Sequence, residues 1–411
     1  MKRFTIALAV ACLFLGGRAS ATNGMRMIGF GPIQTSMGGV GVGATLDGNA
    51  LASNPAGIAD VGQRLDVDIG YFKPTVSHQA TGTAPLPAPY PPTGVIQYPG
   101  KTIDSTRGGS PIPAIAYVHP FSKELSAGIG LFAVSGMGVD YPPNIYLSKA
   151  LTSYMNARLA PGVAYRVNDA VSVGVALNLM LAQMEYDVAQ AFGQANHSKT
   201  NSFGYGATVG VKVTPTPMLG LGAAYETKSY FQDFSFNVPG GTDKLTFDQP
   251  QMATVGASVR PLESLLVAAD LEWINWSSTM GANLPKYSQS QPTTMPFNMN
   301  RKDQWVVKVG AQYAATKALA LRAGWDYGKM PLDPNRAFEN LVFPAVAENH
   351  FTAGAGYAVT QAIDVLLTGM YSPTAKISGA NAAPPPGGQL IASYSTQMSQ
   401  YQVDLGATFK F

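Results

Sequence analysis

Residues 171–182 read VSVGVALNLMLA, and this stretch decides the fold class. Valine and leucine occupy every odd position, while the even positions are mostly small or polar, as at Ser172 and Asn178. A helix cannot keep a period of two on one face, whereas successive side chains of a strand point to opposite faces. The stretch therefore predicts a strand with one apolar and one mostly polar face.

The same alternation recurs from Arg64 to the end of the chain. Fourteen segments of about ten residues repeat it, centred near residues 69, 116, 130, 162, 177, 208, 223, 253, 270, 308, 323, 354, 368 and 405. About ten tilted residues are enough to cross a bilayer. We therefore predict an all-β fold, a 14-stranded antiparallel transmembrane β-barrel whose apolar rows face lipid and whose polar rows face the lumen.

The connections between these segments alternate in length. Six are tight turns, whereas most of the other seven are long, such as residues 75–110 and 277–302. Outer-membrane barrels have short periplasmic turns and long external loops, so the alternation predicts the orientation. All four tryptophans then fall at the outer end, which predicts an aromatic girdle there: Trp273, Trp276, Trp305 and Trp325.

The N-terminus has the features of a secretory signal peptide, predicted for residues 1–21. Lys2 and Arg3 precede the short apolar stretch Phe4–Leu15, and Ala19–Ala21 forms an A-x-A cleavage site. The alternative is a lipoprotein acylated at Cys12, the only cysteine. No later apolar run reaches eighteen residues, which argues against helical membrane spans.

The charge and motif content excludes several other classes. Only 12% of residues are charged, against about 25% in a typical chain. Loss of the signal peptide lowers the basic residues from 27 to 24, equal to the 24 acidic ones, so nothing indicates nucleic-acid binding. No H-E-x-x-H, C-x-x-C or G-x-S-x-G motif occurs, and His350 is interpreted as a solvated loop residue. We expect no enzyme activity, metal or cofactor.

Residues 22–63 precede the first strand and do not alternate. They are rich in glycine, yet carry many large apolar residues, among them Met25, Met27, Ile28, Phe30, Ile33 and Met37. A free tail would not carry so much apolar surface. We therefore predict a plug, or hatch, at residues 22–63 inside a barrel of residues 64–411.

Three short motifs lie together in this segment: TNGM at 22–25, Met37-Gly38-Gly39, and SNPAG at 53–57. With the terminal Phe411, they make the chain resemble the FadL family of outer-membrane transporters for long-chain fatty acids and hydrophobic compounds, including TodX-type aromatic hydrocarbon channels. The resemblance implies a hatch motif at Asn54, Pro55 and Ala56. It also implies a gate over an apolar pocket, formed by Thr22, Asn23, Gly24, Met25, Met27, Ile28 and Phe30.

The resemblance further implies a lateral exit through a kinked third strand. That strand is 125–134 here, with Gly128 and Gly130 as candidate kink positions, although glycine is also ordinary at lumen-facing sites. An apolar outer loop would form a first binding groove with Met137, Val139, Tyr141 and Leu147, the alternative being packing between loops.

Two cations on predicted lumen positions, Lys308 and Arg322, are candidate partners for a substrate carboxylate. The alternative is pairing with luminal Asp270, Glu272 or Asp326, because buried charges need partners with or without a ligand.

These features favour passive transport of hydrophobic small molecules across the outer membrane, through an apolar pocket and a lateral opening. The alternatives are a general diffusion porin and a surface enzyme or adhesin built on a barrel. The expected partners are the hydrophobic substrate, outer-membrane lipids with lipopolysaccharide, and the barrel-assembly machinery. We expect a monomer in the outer membrane of a Gram-negative-type bacterium.

Overall fold

The computed structural model describes residues 23–85, 95–143, 150–187, 197–288, 298–337, 340–380 and 393–411. The predicted signal peptide, Thr22 and Leu147 lie outside these residues. The helices in the described ranges are short: α1 (Gly31–Ser36), α2 (Ala50–Ser53), α3 (Ser277–Met280) and a 3-10 turn at Pro55–Ala59. None of these described helices has the length and apolar character needed to span a membrane.

Strands dominate the described residues. In chain order they are β1 (Arg64–Pro85), β2 (Val95–Asp104), β3 (Ser110–Pro120), β4 (Leu125–Met137), β5 (Asp140–Tyr141), β6 (Ala150–Arg166), β7 (Val171–Asp187), β8 (His197–Thr216), β9 (Leu219–Glu226), β10 (Tyr230–Phe231), β11 (Phe234–Val238), β12 (Gly241–Leu245), β13 (Met252–Leu262), β14 (Leu265–Ile274), β15 (Tyr287–Ser288), β16 (Gln304–Ala314), β17 (Leu319–Gly328), β18 (Asn349–Ala358), β19 (Ile363–Ala380) and β20 (Ser393–Lys410).

Fourteen of these strands form one closed antiparallel barrel, as predicted, and each pairs with the next of the fourteen along the chain. They are β1, β3, β4, β6, β7, β8, β9, β13, β14, β16, β17, β18, β19 and β20. The first and last, β1 and β20, close the wall through an unbroken register from Arg64 opposite Lys410 to Thr81 opposite Ser393. Closure removes the free sheet edges that a membrane would not tolerate. All fourteen strands lie where the sequence places them.

The two ends of the barrel differ as the connection lengths predict. Only two residues separate β8 from β9, whereas several strands extend far beyond the membrane at the opposite, outer end. β1 has 22 residues and β8 has 20, against the ten or so that a bilayer needs. The predicted long loop at 75–110 is therefore wrong in part, because the outer end of β1 pairs with β2 in a hairpin.

The alternation seen in sequence separates two faces. In β7, Val173, Val175 and Leu177 are exposed on the outer surface, while Ser172 and Asn178 are buried on the inner one. The apolar rows thus face lipid and the small or polar rows face the interior, as predicted.

The tryptophans fit the predicted girdle only in part. Trp305 and Trp325 are exposed on the outer surface, and Trp273 lies opposite Trp305 on the neighbouring strand. Trp276 is wholly buried instead, with its ring against Gly24. It follows the end of β14, where the chain turns inward into α3, so its level along the strand does not determine which way it points.

Residues 23–63, termed here the N-terminal segment, are almost entirely buried against the inner faces of the strands. Its backbone is held mainly by side chains of the wall. The N–H groups of Gly41, Val42 and Gly43 all donate to the carboxylate of Asp270 on β14, at 2.8–2.9 Å. Such a row of N–H groups around one anion forms an anion-binding concavity.

Glycines of the wall let this segment approach closely. Gly310 on β16 lies opposite Gly324 on β17. A methyl group at Gly310 would overlap the backbone of Met37, and one at Gly324 would overlap the backbone of Gly38. The segment therefore touches the strand backbone directly, which any larger residue at these two positions would prevent.

The substitution Gly324→Ala is expected to displace the N-terminal segment from β17. Overpacking of this kind costs about 1–3 kcal/mol, so the purified variant should unfold at a lower temperature than the parent in the same detergent. Gly369→Ala in β19 is the matched control, since an added methyl there meets no atom within 4 Å. Equal unfolding temperatures for the two variants would contradict this account of the contact.

Candidate functional site

A large apolar cluster fills the interior at the outer end of the barrel. It contains Met25 of the N-terminal segment together with Met137 at the end of β4 and Tyr154 of β6, all buried. Residues that follow strand ends, such as Trp276 and Phe343, complete it. This outer apolar cluster is rich in methionine, a flexible side chain that adapts to differently shaped partners: Met25, Met137, Met180, Met184, Met252, Met280, Met299 and Met398.

The first residues of the predicted gate lie at the inner boundary of this cluster. Asn23 donates to Asp326 on β17 at 2.9 Å, and Gly24 packs against the Trp276 ring. Met25 is wholly buried among the cluster's side chains. The start of the N-terminal segment is therefore in contact with the apolar interior.

The remaining gate residues continue toward the wall at β3 and β4. Met27 and Ile28 are buried, and Ile28 packs with Phe72 of β1. Phe30 lies against Phe132 of β4, with ring centroids 5.5 Å apart. The structure thus brings the described gate residues together along one path from the outer apolar cluster to the third barrel strand.

The wall is interrupted beside this path. The ladder between β3 and β4 ends at Ala114 opposite Phe132, although β3 begins at Ser110 and β4 continues to Met137. Two prolines lie in the part of β3 that is not paired with β4, and a proline has no N–H to donate to a ladder. They are Pro111 and Pro113. The outer halves of these neighbouring strands therefore leave a gap in the hydrogen-bonded wall.

The N-terminal segment occupies the edge of β4 that β3 leaves free. Met27 N–H donates to Val134 O at 3.1 Å, and Gly136 N–H donates to Met25 O at 3.0 Å. These bonds flank the antiparallel bridge between Arg26 and Ser135. The cavity that remains between the strands, lined by Phe30, is only about 10 Å³, too small for a substrate. The gap is thus closed.

The structure places the irregularity of the third strand beyond the predicted kink positions. Gly128 and Gly130 are paired regularly with both β3 and β6. The register between β4 and β6 shifts instead between Ala133 and Ser135. The side chain of Leu51 packs against Gly128, and the ring of Phe132 packs against Gly130, where a larger residue would overlap them. These glycines therefore serve close packing rather than a bend.

The predicted hatch motif is anchored on the wall at β7 and β8, a few strands from β4. Asn54 donates from its side-chain amide to Val211 O of β8 at 3.1 Å and accepts from Ala56 N–H at 3.2 Å. It therefore caps the 3-10 turn that begins at Pro55. A side chain at Gly174 of β7 would overlap this turn. The motif joins the N-terminal segment to the wall through a polar contact and close backbone packing.

Three buried charges link the segment to the wall below the outer apolar cluster. Arg26 forms two hydrogen bonds of 3.1 Å with the Glu226 carboxylate, and Arg158 of β6 lies 2.5 Å from the same group. Arg158 also donates to Ala52 O at 3.4 Å. Each charge is thus held by an opposite charge, which offsets the cost of burial.

The two predicted carboxylate partners are engaged elsewhere. Lys308 pairs with Glu272 at 3.2 Å and donates to Ile28 O at 3.2 Å. Arg322 donates to Gln312 at 2.7 Å, toward the end of the barrel away from the outer apolar cluster. Lys308 therefore pairs with a luminal carboxylate, which is the alternative that the sequence left open. Neither the Lys308 nor the Arg322 side chain is directed into the outer apolar cluster.

The predicted outer-loop residues are buried. Met137, Val139 and Tyr141 are at most 2% exposed and belong to the outer apolar cluster, so they line the interior beside Met25. His350 is also buried, contrary to the solvated position expected, and pairs with Asp326 at 2.7 Å on the neighbouring strand. Its position at an inward-facing register of β18 explains this.

The sequence did not single out Glu226 or Arg301, and it did not identify Asp270 as an anchor of the N-terminal segment. All three residues are buried. A charged residue in an otherwise apolar, alternating stretch marks an inward position for the first two, but only the fold identifies their partners. In the described ranges no cluster of histidine, cysteine, aspartate and glutamate could hold a metal ion.

Comparison with known proteins gives one family match. Residues 30–411 match the model of the outer membrane protein transport protein family (OMPP1/FadL/TodX). No curated protein sequence matches the chain.

Solved structures share the fold at low sequence identity. The Pseudomonas putida toluene transporter TodX is 18% identical, with a TM-score of 0.70 over 93% of this chain and 99% of that one. A Pseudomonas aeruginosa FadL homologue is 18% identical, with a TM-score of 0.73 over 96% and 100%. The Ralstonia pickettii toluene transporter TbuX is 19% identical, with a TM-score of 0.66 over 93% and 98%.

These relatives are transport proteins rather than enzymes, and the barrel agrees with a place in the Gram-negative outer membrane. The family model covers nearly the whole chain, including the strands beside the gap and most of the N-terminal segment. The chain therefore belongs to the OMPP1/FadL/TodX family of outer-membrane transport proteins.

Proposed function

We propose that this chain carries hydrophobic small molecules passively through the outer membrane, from the outer apolar cluster, past Met25, to a lateral exit between β3 and β4. The observation that carries the route is the interrupted ladder at Ala114 and Phe132, bridged by residues 25–27. In this proposal residues 1–21 are a cleaved signal peptide, residues 22–63 are the hatch, and residues 64–411 are the barrel.

The route meets a physical need of such molecules. The outer leaflet presents charged saccharide to a hydrophobic solute, and transfer through a water-filled pore would expose the solute's apolar surface at about 25 cal/mol per Å². A path through apolar side chains into the hydrocarbon layer avoids that exposure. The sequence carries no nucleotide-binding motif, so transfer runs down the concentration gradient.

The names of the relatives suggest the substrate range. TodX and TbuX are toluene transporters, and another neighbour is a FadL homologue. Small aromatic hydrocarbons and long-chain fatty acids are therefore the two candidate classes for this chain. Both fit a cluster built from methionine and aromatic side chains.

The remaining partners follow from the surface of the barrel. Exposed apolar residues such as Ile69 and Leu405 would contact lipid, with lipopolysaccharide at the outer rim. In this proposal the last strand, β20, with the exposed Phe411 directly after it, is the segment offered to the barrel-assembly machinery. A closed barrel needs no second copy for its wall, and we propose a monomer.

Locking the gate should stop transport. Arg26 and Ser135 form a non-hydrogen-bonded antiparallel pair. The Cα atoms of such a pair lie about 4.5 Å apart, which is within the range of a disulfide. The double variant Arg26→Cys/Ser135→Cys should form a disulfide, since Cys12 is the only native cysteine. We expect oxidised cells to lose uptake of radiolabelled palmitate or toluene, and reduction to restore it.

The double variant lacks the Arg26–Glu226 pair in both its oxidised and its reduced state, so a difference in uptake between the two states cannot come from the loss of that pair. The two single variants control for each substitution. Uptake that is the same in the oxidised and reduced states would overturn the gating role of residues 25–27.

The proposal also predicts a small conductance. The N-terminal segment fills the lumen, so purified protein in a planar bilayer should show no large, steady channel, whereas a general porin would. Cells lacking the gene should take up labelled hydrophobic substrate more slowly than cells expressing it. Equal uptake combined with a large steady conductance would support the porin alternative.

A further inference from the structure

A small cavity remains where the ladder between β3 and β4 ends, on the proposed exit route. One side of it is lined by residues 29–31 of the N-terminal segment, and the other by polar side chains of β1 and β20: Asp68, Gln402 and Asp404. Asp68 lies opposite Ala114, the outermost residue of β3 that pairs with β4. Acidic side chains therefore line the point at which the wall is interrupted.

The polar side chains of this cavity present hydrogen-bond acceptors. The Gln402 amide nitrogen donates to both oxygens of Asp404, at 2.7 and 3.0 Å, so the amide oxygen is its free end. In Asp68, Oδ2 accepts from the Asn49 amide at 3.2 Å. Gln402 Oε1 and Asp68 Oδ1 are buried and have no hydrogen-bond donor among the described residues. Such atoms can be satisfied only by a group that carries a donor.

Negative charge dominates around these acceptors. In the described part of the chain no cation lies in ion-pair range of Asp68 or Asp404, and the nearby Arg64 pairs with Asp66. The strongest charge–charge interactions of Asp68 are with other acids, namely Asp47, Asp66 and Asp404. The cavity at the gap is therefore unfavourable for an anion.

Other carboxylates of the wall hold the N-terminal segment in place. Asp270 accepts from three N–H groups of the segment, and Asp66 accepts from Gly48 N–H. Asp404 is different, because its hydrogen-bond partner among the described residues is Gln402, two positions away on the same strand. A buried carboxylate without a structural partner across the lumen points to an effect on what passes the gap.

We propose that Asp68 and Asp404 make the lateral exit selective for neutral hydrophobic molecules over carboxylate anions. This inference rests on the proposed function and concerns the last part of its route. An anion in the gap would approach two carboxylates at low dielectric, where like charges repel strongly. Rings of acidic side chains select against anions in channels by the same repulsion. A hydrocarbon meets no such barrier, and a hydroxyl group can donate to the free acceptors.

The test compares two probes with the same hydrocarbon chain, radiolabelled palmitate and radiolabelled hexadecanol. Uptake is measured at about pH 8, well above the pKa of a carboxylic acid, so palmitate is an anion. Initial rates in cells expressing the parent or a variant are corrected by the rate in cells lacking the gene. Each variant's ratio of palmitate to hexadecanol uptake is then divided by the parent's ratio, which cancels the later metabolic steps common to all strains.

The double variant Asp68→Asn/Asp404→Asn should raise this ratio about tenfold, because it removes both charges from the exit and leaves hexadecanol uptake unchanged. It should fold, since asparagine can still accept from Asn49 at position 68 and from Gln402 at position 404. Each single variant should give a smaller rise. The amounts of protein in the outer membrane are matched by immunoblot.

Asp364→Asn is the matched control. This carboxylate lies near the periplasmic end of β19 and pairs with Lys410, away from the exit. Its substitution removes one charge from the same barrel wall and should leave the ratio at the parent's value.

The outcomes separate the inference from the proposed function. A ratio that rises in the double variant and not in Asp364→Asn supports the inference. A ratio that is unchanged or lower in the double variant, or that rises equally in Asp364→Asn, overturns it while gene-dependent hexadecanol uptake still supports hydrophobic transport. If the double variant does not reach the outer membrane, the two single variants decide by the same comparison. If parent cells take up neither probe faster than cells lacking the gene, the proposed function fails as well.

Discussion

The interior of this barrel is organised by one constraint: the backbone of the N-terminal segment must form its hydrogen bonds inside a closed wall. The segment has only short helical turns, so most of its N–H and C=O groups have no partner of their own. The wall supplies them. Asp270 receives three consecutive N–H groups, and Thr352 both accepts from Gly38 N–H and donates to Ser36 O. Moving this middle part of the segment would leave those groups unpaired.

The first residues of the segment are held differently from its middle. Residues 25–27 share two backbone hydrogen bonds with β4, each contributing only about 1 kcal/mol net. β1 and β20, by contrast, share an unbroken register along the barrel seam. The contact that closes the gap is therefore much weaker than this seam. In the proposed function, this difference lets residues 25–27 move while the barrel and the rest of the N-terminal segment stay in place.

The buried charges differ between the outer apolar cluster and the part of the interior below it. Below the outer apolar cluster, buried charges are held by opposite charges that join strands and segment: Lys308 pairs with Glu272, and Arg26 and Arg158 share Glu226. Within the cluster, the Arg301 guanidinium contacts the Trp276 ring, the Phe343 carbonyl and the Met137 sulfur.

The sequence by itself determined the strands, their number and their orientation, because period-two alternation and turn length are local properties. VSVGVALNLMLA and thirteen similar stretches sufficed. The sequence also marked residues 22–63 as too apolar for a tail. It did not determine where the hydrogen-bonded wall is interrupted: Gly128 and Gly130 were the candidate kink positions, yet the ladder between β3 and β4 ends at Ala114 opposite Phe132. Which charges are paired was equally decided by the tertiary structure, since Glu226 and Arg26 are 200 residues apart. Such partners meet only when the barrel closes around the N-terminal segment, because strand spacing and register, not local sequence, set their distance.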